Sequence, residues 1–144
     1  FYQQKVNFRV AGDMDWLPQD LVDFLEQKQD EFNYPESKKT FVLAVNYGGQ
    51  DEILRAMKKL VANGDTISKE NLEKYSDFWG LPPVELVIRT KQQLAKRLSG
   101  FMLRWIGYAQ LYFTDLYCPD FTVKELQKAL DWYEQSLESQ NFGK

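Results

Sequence analysis

Three side chains in this sequence have the types and the placing to grip a small polyanion: Arg89, Arg97 and Ser99. Arg89 ends a short apolar run, Leu86-Val87-Ile88, and the other two follow on the next stretch of chain. An arginine offers a planar fork of N–H donors that meets phosphate oxygens two at a time, which the point charge of a lysine cannot do. The segment from Arg89 to Thr114 holds five of the chain's 18 cations and no Asp or Glu, leaving 13 cations for the remainder against all 21 acidic residues. Positive charge is therefore concentrated in a chain whose net charge is −3. Two readings of the residues stand side by side: a clamp for phosphate or diphosphate, or a solvated basic surface loop.

The remaining composition narrows the chemistry. Histidine is absent, which removes the commonest general base, the Ser/His triads and most zinc sites. Cys118 stands alone, so neither an intrachain disulfide nor a cysteine zinc cluster can form. What is left is carboxylates, cations, backbone dipoles or a hard metal such as Mg²⁺. Neither GxGxxG nor GxxxxGK[ST] occurs, so the common nucleotide-binding fingerprints are missing. A pI near 5.1 and one short cationic segment argue against nucleic acid as a partner. No window approaches the roughly 20 apolar residues of a membrane span, and no signal segment opens the chain, so a cytoplasmic protein is expected.

The elements that would position these groups alternate. Val6–Ala11 reads as a strand ending at the Gly12-Asp13 turn, followed by a helix with Asp15 as its cap and Leu17, Leu21, Leu25 and Phe32 at helical spacing. Thr40–Tyr47 is the strongest strand, with the continuous apolar run of a parallel strand covered on both faces. Gly48-Gly49 ends it, and Ile53, Leu54, Met57, Leu60 and Val61 mark one face of a helix stopping at Asn63-Gly64. Asp51 and Glu52 fall in its first turn, where the macrodipole favours carboxylates over any catalytic pairing. Ser68 caps a helix expected to run to Trp79, with Ile67 and Leu72 as its hydrophobic staple. Leu86–Thr90 and a second β-prone run from Gln110 are strands joined by the basic loop, and Thr122–Glu125 opens a last helix to about Leu137. The expected fold is therefore α/β: a parallel β-sheet of about four strands flanked by helices, in one domain covering residues 1–144. In such sheets ligands collect beyond the carboxyl ends of the strands. Asn46, with the two glycines after it, leaves its strand there just as Arg89 does; the glycines either let a ligand approach the backbone or only make the turn. The aromatics Trp105, Tyr108, Tyr112 and Phe113 are expected in the core or at a subunit interface, Trp132 and Tyr133 in packing, and Cys118 as a small buried or interfacial side chain.

Five stretches together resemble the cis-prenyltransferases, the family of undecaprenyl diphosphate synthase. They are Val45-Asn46-Tyr47-Gly48-Gly49 with Asp51-Glu52-Ile53; Glu85-Leu86-Val87-Ile88-Arg89-Thr90; Arg97-Leu98-Ser99 with Phe101; Tyr108-Ala109 with Leu111-Tyr112-Phe113-Thr114-Asp115; and Pro119-Asp120-Phe121. The resemblance implies an undecaprenyl diphosphate synthase-like fold, a homodimer or heteromer, and Mg²⁺ as cofactor. It implies elongation of an allylic diphosphate by isopentenyl diphosphate, with Arg89, Arg97, Ser99 and Asn46 binding substrate and peripheral membrane association through the lipid product. The family's catalytic aspartate lies in an N-terminal phosphate-binding loop that nothing before Val6 resembles, so no catalytic residue is assigned within this chain. Gln110 stands where the family has a magnesium-binding glutamate, and an amide binds a hard cation more weakly than a carboxylate. The stretch Lys91–Lys96 lacks the family's Gly-Glu element, and Gln140–Gly143 keeps its Phe-Gly without the preceding arginines. These departures raise a second expectation, a non-catalytic partner subunit of an active prenyltransferase.

Overall fold

The computed structural model describes residues 2–91 and 96–139. The chain divides into two compact units, Phe1–Leu81 and Pro82–Lys144. The stretch Gln92–Ala95 and the tail Gln140–Gly143, on which two of the departures noted above fall, lie outside the described residues.

In the first unit β1 (Asn7–Gly12) runs parallel to β2 (Thr40–Val45), in register from Asn7 opposite Thr40 to Gly12 opposite Val45. Parallel neighbours need a crossover, and α1 (Gln19–Glu31) supplies it. This helix also closes the outer edge of β1: Gln29 Oε1 accepts from Val10 N at 2.8 Å and the Phe32 carbonyl from Phe8 N at 3.0 Å. Its N-cap is Pro18, whose ring suits the first turn but offers no side-chain acceptor. Asp15 does not cap it; the local Asx turn there is Asp13 Oδ1 accepting from Asp15 N.

The next helix, α2 (Gly49–Ala62), ends as its sequence predicts. Gly64 takes a positive φ of 71°, its N–H reaches the Val61 carbonyl and Asp65 N reaches that of Leu60, a Schellman close that releases the chain. The buried stripe is not the one the aliphatic spacing suggests. Gly49, Glu52, Ala56 and Leu60 face inward, whereas Leu54 and Val61 are 55% and 64% exposed. A carboxylate thus sits on the inner face, and small Ala56 lets the helix lie close.

Helix α3 (Lys69–Lys74) begins as expected, Ser68 Oγ accepting from Asn71 N at 3.1 Å. Ile67 is 75% exposed, so no staple supports it. It stops at Tyr75, five residues short of Gly80, because the chain beyond finds partners elsewhere. Asp77 N donates to Glu52, and the Asp77 and Trp79 carbonyls accept from the Arg9 guanidinium at 2.9 and 2.8 Å.

In the second unit β3 (Leu86–Arg89) pairs in parallel with β4 (Gln110–Phe113), so among the described residues the four strands form two parallel pairs. From Leu98 to Ala109 the connection between them is a run of tight turns, and the β-prone stretch after Phe113 gives a single turn at Cys118–Asp120 instead of a longer strand. Helix α4 (Val123–Ser139) buries Ala129 and lays Trp132 against Tyr112, ring centroids 5.4 Å apart, so that pair packs as its aromatic content suggests. Tyr108, by contrast, is fully exposed on the chain and no part of its core, and Cys118 is exposed too.

Candidate functional site

Arg89 is the last residue of β3, and the backbone pairing carries on past it: Thr114 N donates to its carbonyl at 2.9 Å and Lys91 N to that of Leu116 at 2.8 Å. The exit of the strand is therefore held along the edge it shares with the continuation of β4. The guanidinium, half-buried, donates to Ser99 Oγ at 3.3 Å. For Ser99 to arrive there its backbone adopts a left-handed φ of 50°, followed by Gly100 at 77° and Met102 at 48°. Three left-handed residues in four fold the loop back on itself, and only the glycine accepts that conformation without cost. Phe101 N to the Leu98 carbonyl (2.9 Å), Trp105 N to that of Met102 (2.8 Å) and Ala109 N to that of Ile106 (3.1 Å) close the successive turns, with Ile106 buried beneath them.

Of the residues that the sequence marks, the fold brings Arg89 and Ser99 into contact, and Arg97 lies at the surface of the same loop two positions before Ser99. The rim of this loop thus carries exposed Arg97 and Ser99 in a stretch, Arg89 to Thr114, whose sequence holds no acidic residue. Such a rim suits a diphosphate, whose oxygens accept from guanidinium and hydroxyl alike. Gln110 is elsewhere. It opens β4 opposite Leu86, its N–H on the Glu85 carbonyl at 2.8 Å, so it lies at the entry end of the strand pair, about 10 Å along the strands from Arg89 at 3.3 Å per residue. Among the described residues no group of three or more His, Cys, Asp or Glu could hold a metal ion. A half-buried carboxamide is a poor substitute for a carboxylate toward Mg²⁺, and the donors among the described residues do not make a magnesium site.

Asn46 belongs to the first unit. It is exposed, with a left-handed φ of 45°, and its amide donates to the Asp13 carbonyl at 3.3 Å while Asp13 N donates to the Asn46 carbonyl at 3.4 Å. The exit turns of β1 and β2 are thus tied to each other. Beneath them lies a cluster that the sequence did not announce. Asp77 Oδ2 accepts from Gly12 N at 2.9 Å and from Arg55 Nη2 at 2.5 Å, and Glu52, only 2% exposed, accepts from Asp77 N at 3.1 Å and from the Tyr47 hydroxyl at 2.5 Å. Phe78 packs edge-on against the Tyr47 ring. Burial, reinforced by the hydrogen bond to Glu52, pushes the Tyr47 phenol far above its usual value. The available signal was the spacing of Glu52 with Ala56 and Leu60, a helical stripe running through an acidic residue. Two surface hollows of about 690 and 620 Å³ open at the other end of this strand pair, one by Tyr2, Val6 and Phe41, the other by Lys5, Tyr34 and Lys39. None of the sequence-predicted site residues lines either.

Residues 1–143 match the Prenyltransf family model, that of undecaprenyl diphosphate synthase. The chain belongs to the cis-prenyltransferase family. Isoprenyl transferase of Treponema denticola is 42% identical over 134 residues, 90% of this chain and 57% of that protein. The isoprenyl transferase of Chlamydia trachomatis is 36% identical over 141 residues, 93% of this chain and 54% of its own length. The chain therefore spans little more than half of these relatives. Two solved structures share the fold: a probable undecaprenyl diphosphate synthase from Campylobacter jejuni (TM-score 0.77, 28% identity, 93% of this chain and 62% of that one) and lavandulyl diphosphate synthase from Lavandula x intermedia (TM-score 0.80, 30% identity, 91% and 58%). The second was solved with dimethylallyl diphosphate. The α/β reading, with parallel strands flanked by helices, is thus correct for this cis-prenyltransferase chain.

Proposed function

We propose that this chain is the isopentenyl diphosphate-binding part of a cis-prenyltransferase, which condenses isopentenyl diphosphate onto an allylic diphosphate. The observation that carries it is the Arg89–Ser99 contact at the exit of a parallel strand, on a loop that carries Arg97 and no acid. In the condensation the isopentenyl double bond attacks C1 of the allylic substrate, a C–C bond forms, the C–O bond to diphosphate breaks, and a proton leaves the new chain. Arg89, Arg97 and Ser99 hold the isopentenyl diphosphate so that its alkene is presented to that carbon, which is a positioning contribution. Asn46 is a further substrate contact. Mg²⁺ would neutralise the departing diphosphate, as the family resemblance implies, although among the described residues no set of carboxylates could hold it.

Residues 1–144 act as one functional domain in this reading, in a homodimer or heteromer. The enzyme is cytoplasmic in this reading and meets the bilayer through its lipid product; among the described residues no helix is long and apolar enough to cross a membrane. Gln110, at the family's magnesium position, supports a second reading, a non-catalytic subunit that completes a partner bearing the aspartate. Transfer of radiolabelled isopentenyl units by the complete polypeptide, with Arg97→Ala beside it, tests the first. Equal turnover by the variant would remove Arg97 from the site. Turnover only on co-expression with a catalytic partner would favour the second.

A further inference from the structure

Two arms of the buried cluster end on either side of Asn46. One runs from Asp77 Oδ2 to Gly12 N, and the next residue, Asp13, exchanges hydrogen bonds with Asn46 through its backbone N–H and carbonyl. The other runs from Asp77 N to Glu52 and on to the hydroxyl of Tyr47, the residue after Asn46. The side chain of Asp77 is itself only 9% exposed and pinned by Arg55. Gly12 also lies close against Val45, whose carbonyl oxygen would be 1.9 Å from a Cβ at that position. An asparagine held at positive φ on a strand exit has few alternatives of its own to resist drift. Its orientation depends on what grips its neighbours, and both neighbours are gripped from one carboxylate-bearing residue.

We propose that Asp77 is a positioning residue that fixes the exposed amide of Asn46 for the diphosphate of the substrate. The proposal rests on the reading of Asn46 as a substrate contact, and it adds that a residue 31 positions away, buried and touching no substrate, sets that contact's geometry. Arg9 and Arg55 against Glu52 and Asp77 leave the cluster without net formal charge, so its contribution to Asn46 is argued from geometry.

The test is a double-mutant cycle on the full chain with Asp77→Asn, Asn46→Ala and both together. The asparagine at 77 keeps an acceptor for Gly12 N but loses the charge that Arg55 pairs with, so the fold is retained while the grip loosens. Each single change is expected to raise KM for isopentenyl diphosphate about tenfold with kcat within about twofold, the scale of one weakened polar contact. If Asp77 acts through Asn46, the double variant is no worse than Asn46→Ala alone. Effects that multiply overturn the proposal. Deuterium exchange gives a second reading without turnover: Asp77→Asn should raise exchange selectively at residues 12–14 and 46–49, leaving α1 unchanged. A uniform rise, or none, means a structural role only and also overturns it. Absent turnover with selective exchange would instead count against the proposed reaction and leave the positioning intact.

Discussion

Both parallel pairs end in a strand exit rich in charge, and the two are built in opposite ways. At the exits of β1 and β2 the charges are buried and answered: Asp77 has Arg55 and Gly12 N, and Glu52 has Tyr47 and Asp77 N. At the exit of β3 the loop carries only cations, Arg97 and Ser99 are exposed, and the contact of Arg89 is a neutral hydroxyl. Buried charges that answer one another fix backbone, whereas an exposed guanidinium and hydroxyl on a loop whose sequence holds no acid are suited to an anion. On the proposed reading the same position in the topology is a brace in one unit and a grip in the other, and substitutions should separate the two.

The largest effect belongs to the brace. Asp77→Ala leaves Arg55 facing no carboxylate and Gly12 N without its acceptor, and should lower unfolding stability by about 3–5 kcal/mol in a urea titration. Arg55→Met should cost less, because Arg55 also brings two buried donors, Nε and Nη1, that have no hydrogen-bond partner among the described residues. If the arginine change proves the more damaging, the ion pair is not what holds the turn. Gly12→Ala comes next. Its φ of 120° and the carbonyl oxygen of Val45 in the space of a Cβ should take away about 2 kcal/mol or more by the same titration.

In the grip the sign differs. Ser99→Gly relieves the left-handed φ but deletes the hydroxyl, so stability should stay within about 1 kcal/mol while affinity for isopentenyl diphosphate, followed by calorimetry, falls. A fall in stability with unchanged affinity would make the loop structural.

The smallest effect is on pH. The folded-state pKa of Tyr47 is raised, so its stabilisation is complete below the unfolded value near 10 and is lost as pH climbs above it, when the unfolded chain alone gives up the proton. The urea midpoint should decline above pH 10, and Tyr47→Phe should flatten that decline.

What could be read from the sequence was whatever is local. The strands declare themselves by apolar runs, the end of α2 by Asn63-Gly64, and the basic loop by charge confined to one stretch. The brace is legible only in three dimensions. Glu52 in a first helical turn looks like an answer to the helix dipole, and its actual partner lies 25 positions on. The early stop of α3 has the same cause: nothing in Tyr75–Gly80 forbids a helix until Gly80, but Arg9 and Glu52 claim the backbone of Asp77 and Trp79. Aliphatic spacing alone points to the wrong face of α2, because the buried stripe includes the small residues Gly49 and Ala56 together with Glu52.

The most direct measurement is a calorimetric titration of isopentenyl diphosphate into the wild-type chain and into Arg97→Ala at matched pH and salt. Arg97 is exposed, so the variant should fold as before, and the loss of one charged hydrogen bond should weaken binding by about 10- to 100-fold. Indistinguishable dissociation constants for the two proteins would contradict the assignment of the basic loop as the diphosphate site.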